Sequence, residues 1–148
     1  MTRATTIRSL GTLVQVRSSQ VERLEAELAG QEATRVRYRN NLERLTALAH
    51  GSGASGAALV RNPALALNCG AYKQNVMALA DSHRVDLSLH EANMAVSQER
   101  LKDAWVGREL LGKVLAREQG AQAADTERAI KKREDEIATQ SWMAGRAA

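Results

Sequence analysis

The chain has 148 residues, about one domain's length, with one proline, four aromatic residues (Tyr38, Tyr72, Trp105, Trp142), no phenylalanine and 26 alanines. Rich in helix formers and 26% charged, it has the composition of long helices packed along narrow seams, and argues against a compact catalytic domain whose core and pockets draw on large aromatic side chains. The net charge of +4 is spread along the chain without a basic block, the single Cys69 excludes an intramolecular disulfide or a Cys-rich zinc site, and no apolar run suits a membrane span or signal peptide, so a soluble cytoplasmic protein is expected.

The first predicted element covers about residues 4–49. Steps of four and three from Leu10 reach Leu10, Val14, Arg17, Val21, Leu24, Leu28, Gln31, Arg35, Tyr38, Leu42, Leu45 and Ala49, and nine of these twelve are apolar. Such a/d spacing marks a coiled-coil helix. Its polar breaks at Arg17, Gln31 and Arg35 weaken the seam locally or set its register, and the Arg, Glu, Gln and Ser between them form a solvated face.

Residues 50–62 hold three of the ten glycines and end on Asn62-Pro63. Clustered Gly and Ser stop a helix, Asn caps one and Pro suits its first position, so a second helix is predicted from about Pro63 to 143, or from Ala71 if Asn68–Gly70 is irregular. A short linker between two amphipathic helices favours an antiparallel hairpin, and the longer second helix must overhang the first. The apolar positions of this helix read as two tracks. Tyr72, Val76, Leu79 and His83 share one face; Leu87, Met94, Leu101, Ala104, Leu111 and Leu115 lie on another. Gly107, Gly112 and Gly120 each cost roughly 1 kcal/mol relative to alanine, which Glu109–Lys113 and Glu127–Lys131, four apart in the favourable order, partly offset.

Candidate chemistry is sparse. His90-Glu91-Ala92-Asn93-Met94 is half of a zinc-protease motif, with Met94 where the second histidine belongs, and reads as a charged helix surface. His83 with Asp86, or Cys69 with a histidine, lacks further ligands at helical spacing, so no metal, cofactor or catalytic residue is assigned. The Tyr72, Val76, Leu79 and His83 stripe is either intramolecular seam or, with Tyr38 across the hairpin, a docking face with aromatic anchors; accessibility separates the two. The tail from Glu127 to Ala138 alternates blocks of charge around sparse apolar residues, as a solvated helix does, or as the end of a shaft entering a polar ring of subunits.

Several segments in order carry a family resemblance: Tyr38-Arg39-Asn40-Asn41-Leu42 late in the first helix, an aromatic residue after the linker leading to His83-Arg84, Leu115-Ala116-Arg117-Glu118-Gln119, and Lys132-Arg133-Glu134-Asp135-Glu136-Ile137-Ala138. Over most of its length the chain resembles the FliJ family of flagellar export proteins and their type III secretion relatives. It departs from that pattern at Glu27, Gln31 and Thr34, where the family tends to carry Gln, Leu and Tyr. The resemblance implies a hairpin similar to the central stalk of rotary ATPases. Its paired ends would enter the hexameric export ATPase, FliI, and its other end would contact the export-gate membrane protein, FlhA. It also implies escort of export-substrate chaperones, at the cytoplasmic face of the inner membrane. Carried over by position, the gate face would be Tyr38, Tyr72, Val76, Leu79 and His83, and the ATPase end Arg8, Arg128, Lys132, Arg133 and Glu136.

The sequence therefore reads as an all-α protein, a long antiparallel two-helix coiled-coil hairpin with an overhanging second helix, acting without catalysis as stalk and chaperone of flagellar protein export. The alternatives are an injectisome stalk of the same architecture, a basic helical nucleic-acid binder suggested by the pI near 9.6, and, last, a metal enzyme around His83 and His90.

Overall fold

The computed structural model describes residues 2–51 and 60–147, and among these only Thr2 and Asn62 lie outside a helix. Two long helices, α1 (Arg3–Gly51) and α2 (Pro63–Ala147), pack against each other as an all-α hairpin without strands among the described residues. The expected Gly/Ser linker at 50–62 falls largely on residues 52–59, outside the described residues; His50 and Gly51 belong to α1.

Both helices start on side-chain caps, because the first amides of a helix have no carbonyl four residues earlier to donate to. At α1, Thr2 Oγ1 accepts from Thr5 N at 3.4 Å and Thr2 O from Thr6 N at 3.1 Å. For α2, Asn62 Oδ1 accepts from Leu65 N at 3.2 Å and Asn62 O from Ala66 N at 3.1 Å, while Pro63 takes the first helical position, where a missing N–H costs nothing. The helix then runs unbroken through Gly70, Gly107, Gly112 and Gly120, none with positive φ. Of the two expected in-helix pairs, Lys131 meets Glu127 at 2.9 Å, whereas Glu109 turns to its neighbour Arg108 at 3.1 Å.

Contacts divide the chain into two units. The first joins Met1–Glu22 to Asp103–Ala148. Leu10, Val14 and Val21 of α1 turn inward there, Val21 with 1% of its surface exposed, against Ala104, Arg108, Leu111, Leu115 and Glu118 of α2. Arg3 closes this seam by reaching Glu118 at 3.4 Å and Asp125 one heptad further on. From 126 to 147 every residue is exposed, so in this unit α2 extends past the start of its partner.

The second unit is Arg23–Lys102. Leu24, Leu28, Gln31, Arg35, Tyr38, Leu42, Leu45 and Ala49 of α1 are buried or half-buried, as are Val76, Ala80, His83, Leu87, His90, Met94, Ser97 and Leu101 of α2. The helices run antiparallel: Gln31 meets Ser97 and His90, and Tyr38 meets His90 and His83. Each α1 residue is thus lodged between two α2 residues seven apart, the spacing of a knob between successive turns of a heptad seam.

These positions correct the two-track reading of α2. Its inward residues follow one regular alternation of four and three, from Val76 to Leu101 in the second unit and from Ala104 to Glu118 in the first. Ala80, His83, His90, Ser97, Arg108 and Glu118 occupy that seam beside Leu and Met, so hydrophobicity alone does not outline it.

Candidate interaction faces

The second unit holds a polar layer inside its apolar seam. Gln31 Nε2 donates to Ser97 Oγ at 3.0 Å, and His90 Nε2 donates to the Gln31 carbonyl at 2.7 Å. Tyr38 stacks tilted on His90 at 5.7 Å between ring centroids and edge-on to His83 at 6.3 Å. Across the edge of the seam Arg39 clasps Glu91 at 2.9 Å. Not every polar atom is matched: Gln31 Oε1, Arg35 Nε and His83 Nδ1 are buried without a hydrogen-bond partner. The Tyr38–Leu42 motif therefore has an internal task, with Tyr38 and Leu42 facing α2, Arg39 pairing across, and Asn40 and Asn41 exposed.

Against this frame the five expected gate residues separate. Val76 is buried and His83 half-buried in the seam, where His83 touches Tyr38. Tyr72 and Leu79, also one heptad apart, stand out at 47% and 50% exposure. Offsets of four and seven place all four α2 residues on one arc of the helix, and α1 covers only the half of that arc that falls on its own seam. Leu65 extends the exposed track by a further heptad and is 39% exposed; its spacing from Tyr72 is the signal by which sequence reading could have found it. Beside the seam a shallow open groove of about 450 Å³ is lined by Leu42, Glu43, Thr46, Ala47, His50 and Arg84.

In the first unit Arg8, Arg128, Lys132, Arg133 and Glu136 are all exposed. Arg128 bonds Asp125 at 3.3 Å one turn earlier. Lys132, Arg133 and Glu136 lie in the stretch of α2 without a helical partner, together with exposed Ile130 and Ile137. Past them Arg146 stacks on Trp142 at 4.5 Å, a cation–π pair at i,i+4 spacing that was not read from the sequence. The arrangement suits a charged helix that docks into a polar surface, since fixed charges of both signs steer and orient encounter.

His83 and His90 both contact Tyr38, and among the described residues no three His, Cys, Asp or Glu side chains converge as a metal would require. Nor is any helix of the described residues long and apolar enough to cross a membrane. Comparison with known families finds a match to the family described as "Flagellar FliJ protein" over residues 6–147. No curated protein matches, and no solved structure does.

Proposed function

The chain belongs to the flagellar FliJ family, whose members are non-enzymatic stalk and chaperone proteins of flagellar protein export, and from that premise we propose that it couples the export ATPase to the export gate. The unpartnered end of α2, with Arg128, Lys132, Arg133 and Glu136, and the nearby Arg8 of α1's first turns enter the hexameric ATPase FliI. The exposed Tyr72 and Leu79 contact the export gate FlhA, while Tyr38, Val76 and His83 hold the helix that presents them. Export-substrate chaperones are escorted by the same protein, which works at the cytoplasmic face of the inner membrane and itself carries out no catalysis.

The observation that supports this reading most is the sorting of α2 residues into two heptad tracks, one covered by α1 and one open at 39–50% exposure over Leu65, Tyr72 and Leu79. Half-exposed aromatic and leucine side chains at regular spacing are anchors for a partner rather than fillers of a core. Tyr72→Ala with Leu79→Ala is expected to leave the far-UV helical signal near wild type while reducing motility and retention of the gate's cytoplasmic domain. Loss of helicity in that variant would return both residues to a structural role. Unchanged gate retention with helicity intact would move the docking face elsewhere.

A further inference from the structure

The two edges of the seam in the second unit are built differently, and the difference bears on the gate-facing residues. Arg39 and Glu91, which meet across the first edge, directly follow the inward Tyr38 and His90, and the groove that brings Glu43, Thr46 and His50 together with Arg84 is likewise lined by residues that follow inward ones. Two antiparallel helices of one hand turn matching sides to each edge, so residues that directly precede inward ones share the second edge. On α2 these are Leu79, before Ala80, with Tyr72 and Leu65 one and two heptads earlier. On α1 they are Arg37, Asn41, Arg44 and Leu48, before Tyr38, Leu42, Leu45 and Ala49. Tyr38 lies between His83 and His90, so Leu45, a heptad later, is level with the stretch from Val76 to His83, and Arg44 and Leu48 straddle the level of Leu79. Leu48 is 50% exposed and, with Arg44, Ala47 and Gly51, lines an open groove of about 520 Å³.

Charge separates the edges as well. Along the first, Arg39 pairs with Glu91, Arg84 pairs with Asp81, and Glu43 lines a groove with Arg84. Along the second, the charged side chains are Arg37 and Arg44 of α1 and Asp86 of α2, all exposed. Arg37 and Asp86 stand at the same end of it and offset one another, and Arg37 Nη2 donates to Thr34 Oγ1 at 3.2 Å. Arg44 forms no ion pair among the described residues, and exposed Lys73, next to Tyr72, adds a positive charge at the same end. The apolar anchors are thus flanked by positive charge without a carboxylate to answer it. We propose that the gate-docking face spans both helices: Leu48 is a further apolar anchor beside Tyr72 and Leu79, and Arg44 selects the partner by receiving a carboxylate from an acidic segment of the gate. This rests on the gate reading above and adds to it the chemistry of what docks there. A guanidinium is weakly hydrated and offers a carboxylate a two-pronged donor, and apolar neighbours that shed water on docking strengthen the pair.

Binding of the full chain to the gate's purified cytoplasmic domain, measured as a Kd at low and at raised salt, tests the proposal. Leu48→Ala and Arg44→Gln are each expected to weaken binding about tenfold, and Arg44→Glu more than Arg44→Gln. The far-UV spectrum should not change, since both side chains are already in solvent. Added salt should weaken the wild-type complex and affect Arg44→Gln less. Arg84→Gln and Arg84→Glu, the same changes of charge on the first edge, should bind as the wild type does. Wild-type affinity in Arg44→Glu or Leu48→Ala, while Tyr72→Ala with Leu79→Ala loses it, would overturn this proposal and leave the gate reading standing. Equal losses in Arg44→Glu and Arg84→Glu would overturn it as well, by showing general charge attraction in place of a placed carboxylate. Absence of binding by the wild-type chain would remove the gate reading and the proposal together.

Discussion

A polar side chain inside a coiled coil is tolerated when it finds its partner across the seam, and Gln31 does so through Ser97 Oγ at 3.0 Å. The pair is asymmetric in what its loss would cost. Ser97→Ala strands the Gln31 amide in a half-buried site and is expected to lower stability by about 1–3 kcal/mol in urea unfolding. Replacing both, Gln31→Leu with Ser97→Ala, removes the stranded donor together with the already unpartnered Gln31 Oε1, so the double variant should be more stable than Ser97→Ala alone. A double variant weaker than the single would show that the Gln31 carbonyl geometry held by His90, rather than the amide pair, carries the layer. Elsewhere in the seam the cost is that of packing: Val21, 1% exposed, should lose about 1–3 kcal/mol on truncation to alanine.

At the scale of the helices, length and capping matter more than local propensity. Both helices carry glycines in their interiors, where glycine is less favourable than alanine by roughly 1 kcal/mol because its unfolded backbone has more freedom to lose. A Cβ added at Gly30 or Gly120 would meet nothing within 4 Å, and neither has positive φ. Gly30→Ala and Gly120→Ala should therefore each raise stability by up to about 1 kcal/mol, one reporting on each unit. Asn62→Ala acts in the opposite sense, releasing the Leu65 amide at the start of α2, and should cost about 1 kcal/mol by thermal or urea denaturation. The two helices also differ in how openly they display their seams. In α1 nine of twelve heptad positions are apolar, so the stripe is legible from residue types alone. In α2 the inward track passes through His83, His90, Ser97 and Arg108, while exposed Leu79, Leu89 and Leu110 sit outside it. Residue type there points to the wrong face, because exposed leucines and valines carry the same apolar signal as those of the core.

On the scale of the whole molecule, the chain keeps its stability and its proposed ATPase contact in different places. Residues 126–147 are helical but wholly exposed, and a helix without a packed face relies on its own marginal propagation. Their amides should exchange with deuterium faster than those between Val76 and Glu118. Ending the chain at Asp125 is expected to shift the unfolding free energy by no more than about 0.5 kcal/mol and to abolish capture of the hexameric ATPase in a pull-down; retained capture would remove the proposed docking end. What the sequence by itself determined was the helical class, the α1 seam, the cap at Asn62-Pro63 and the family, because these rest on local chemistry and on periodicity within one segment. Only the tertiary structure decided which edge of the Tyr72–His83 arc is covered. Val76 and His83 went inward and Tyr72 and Leu79 outward, since tracks a few positions apart share one period, and the register of α1 against α2 selects between them.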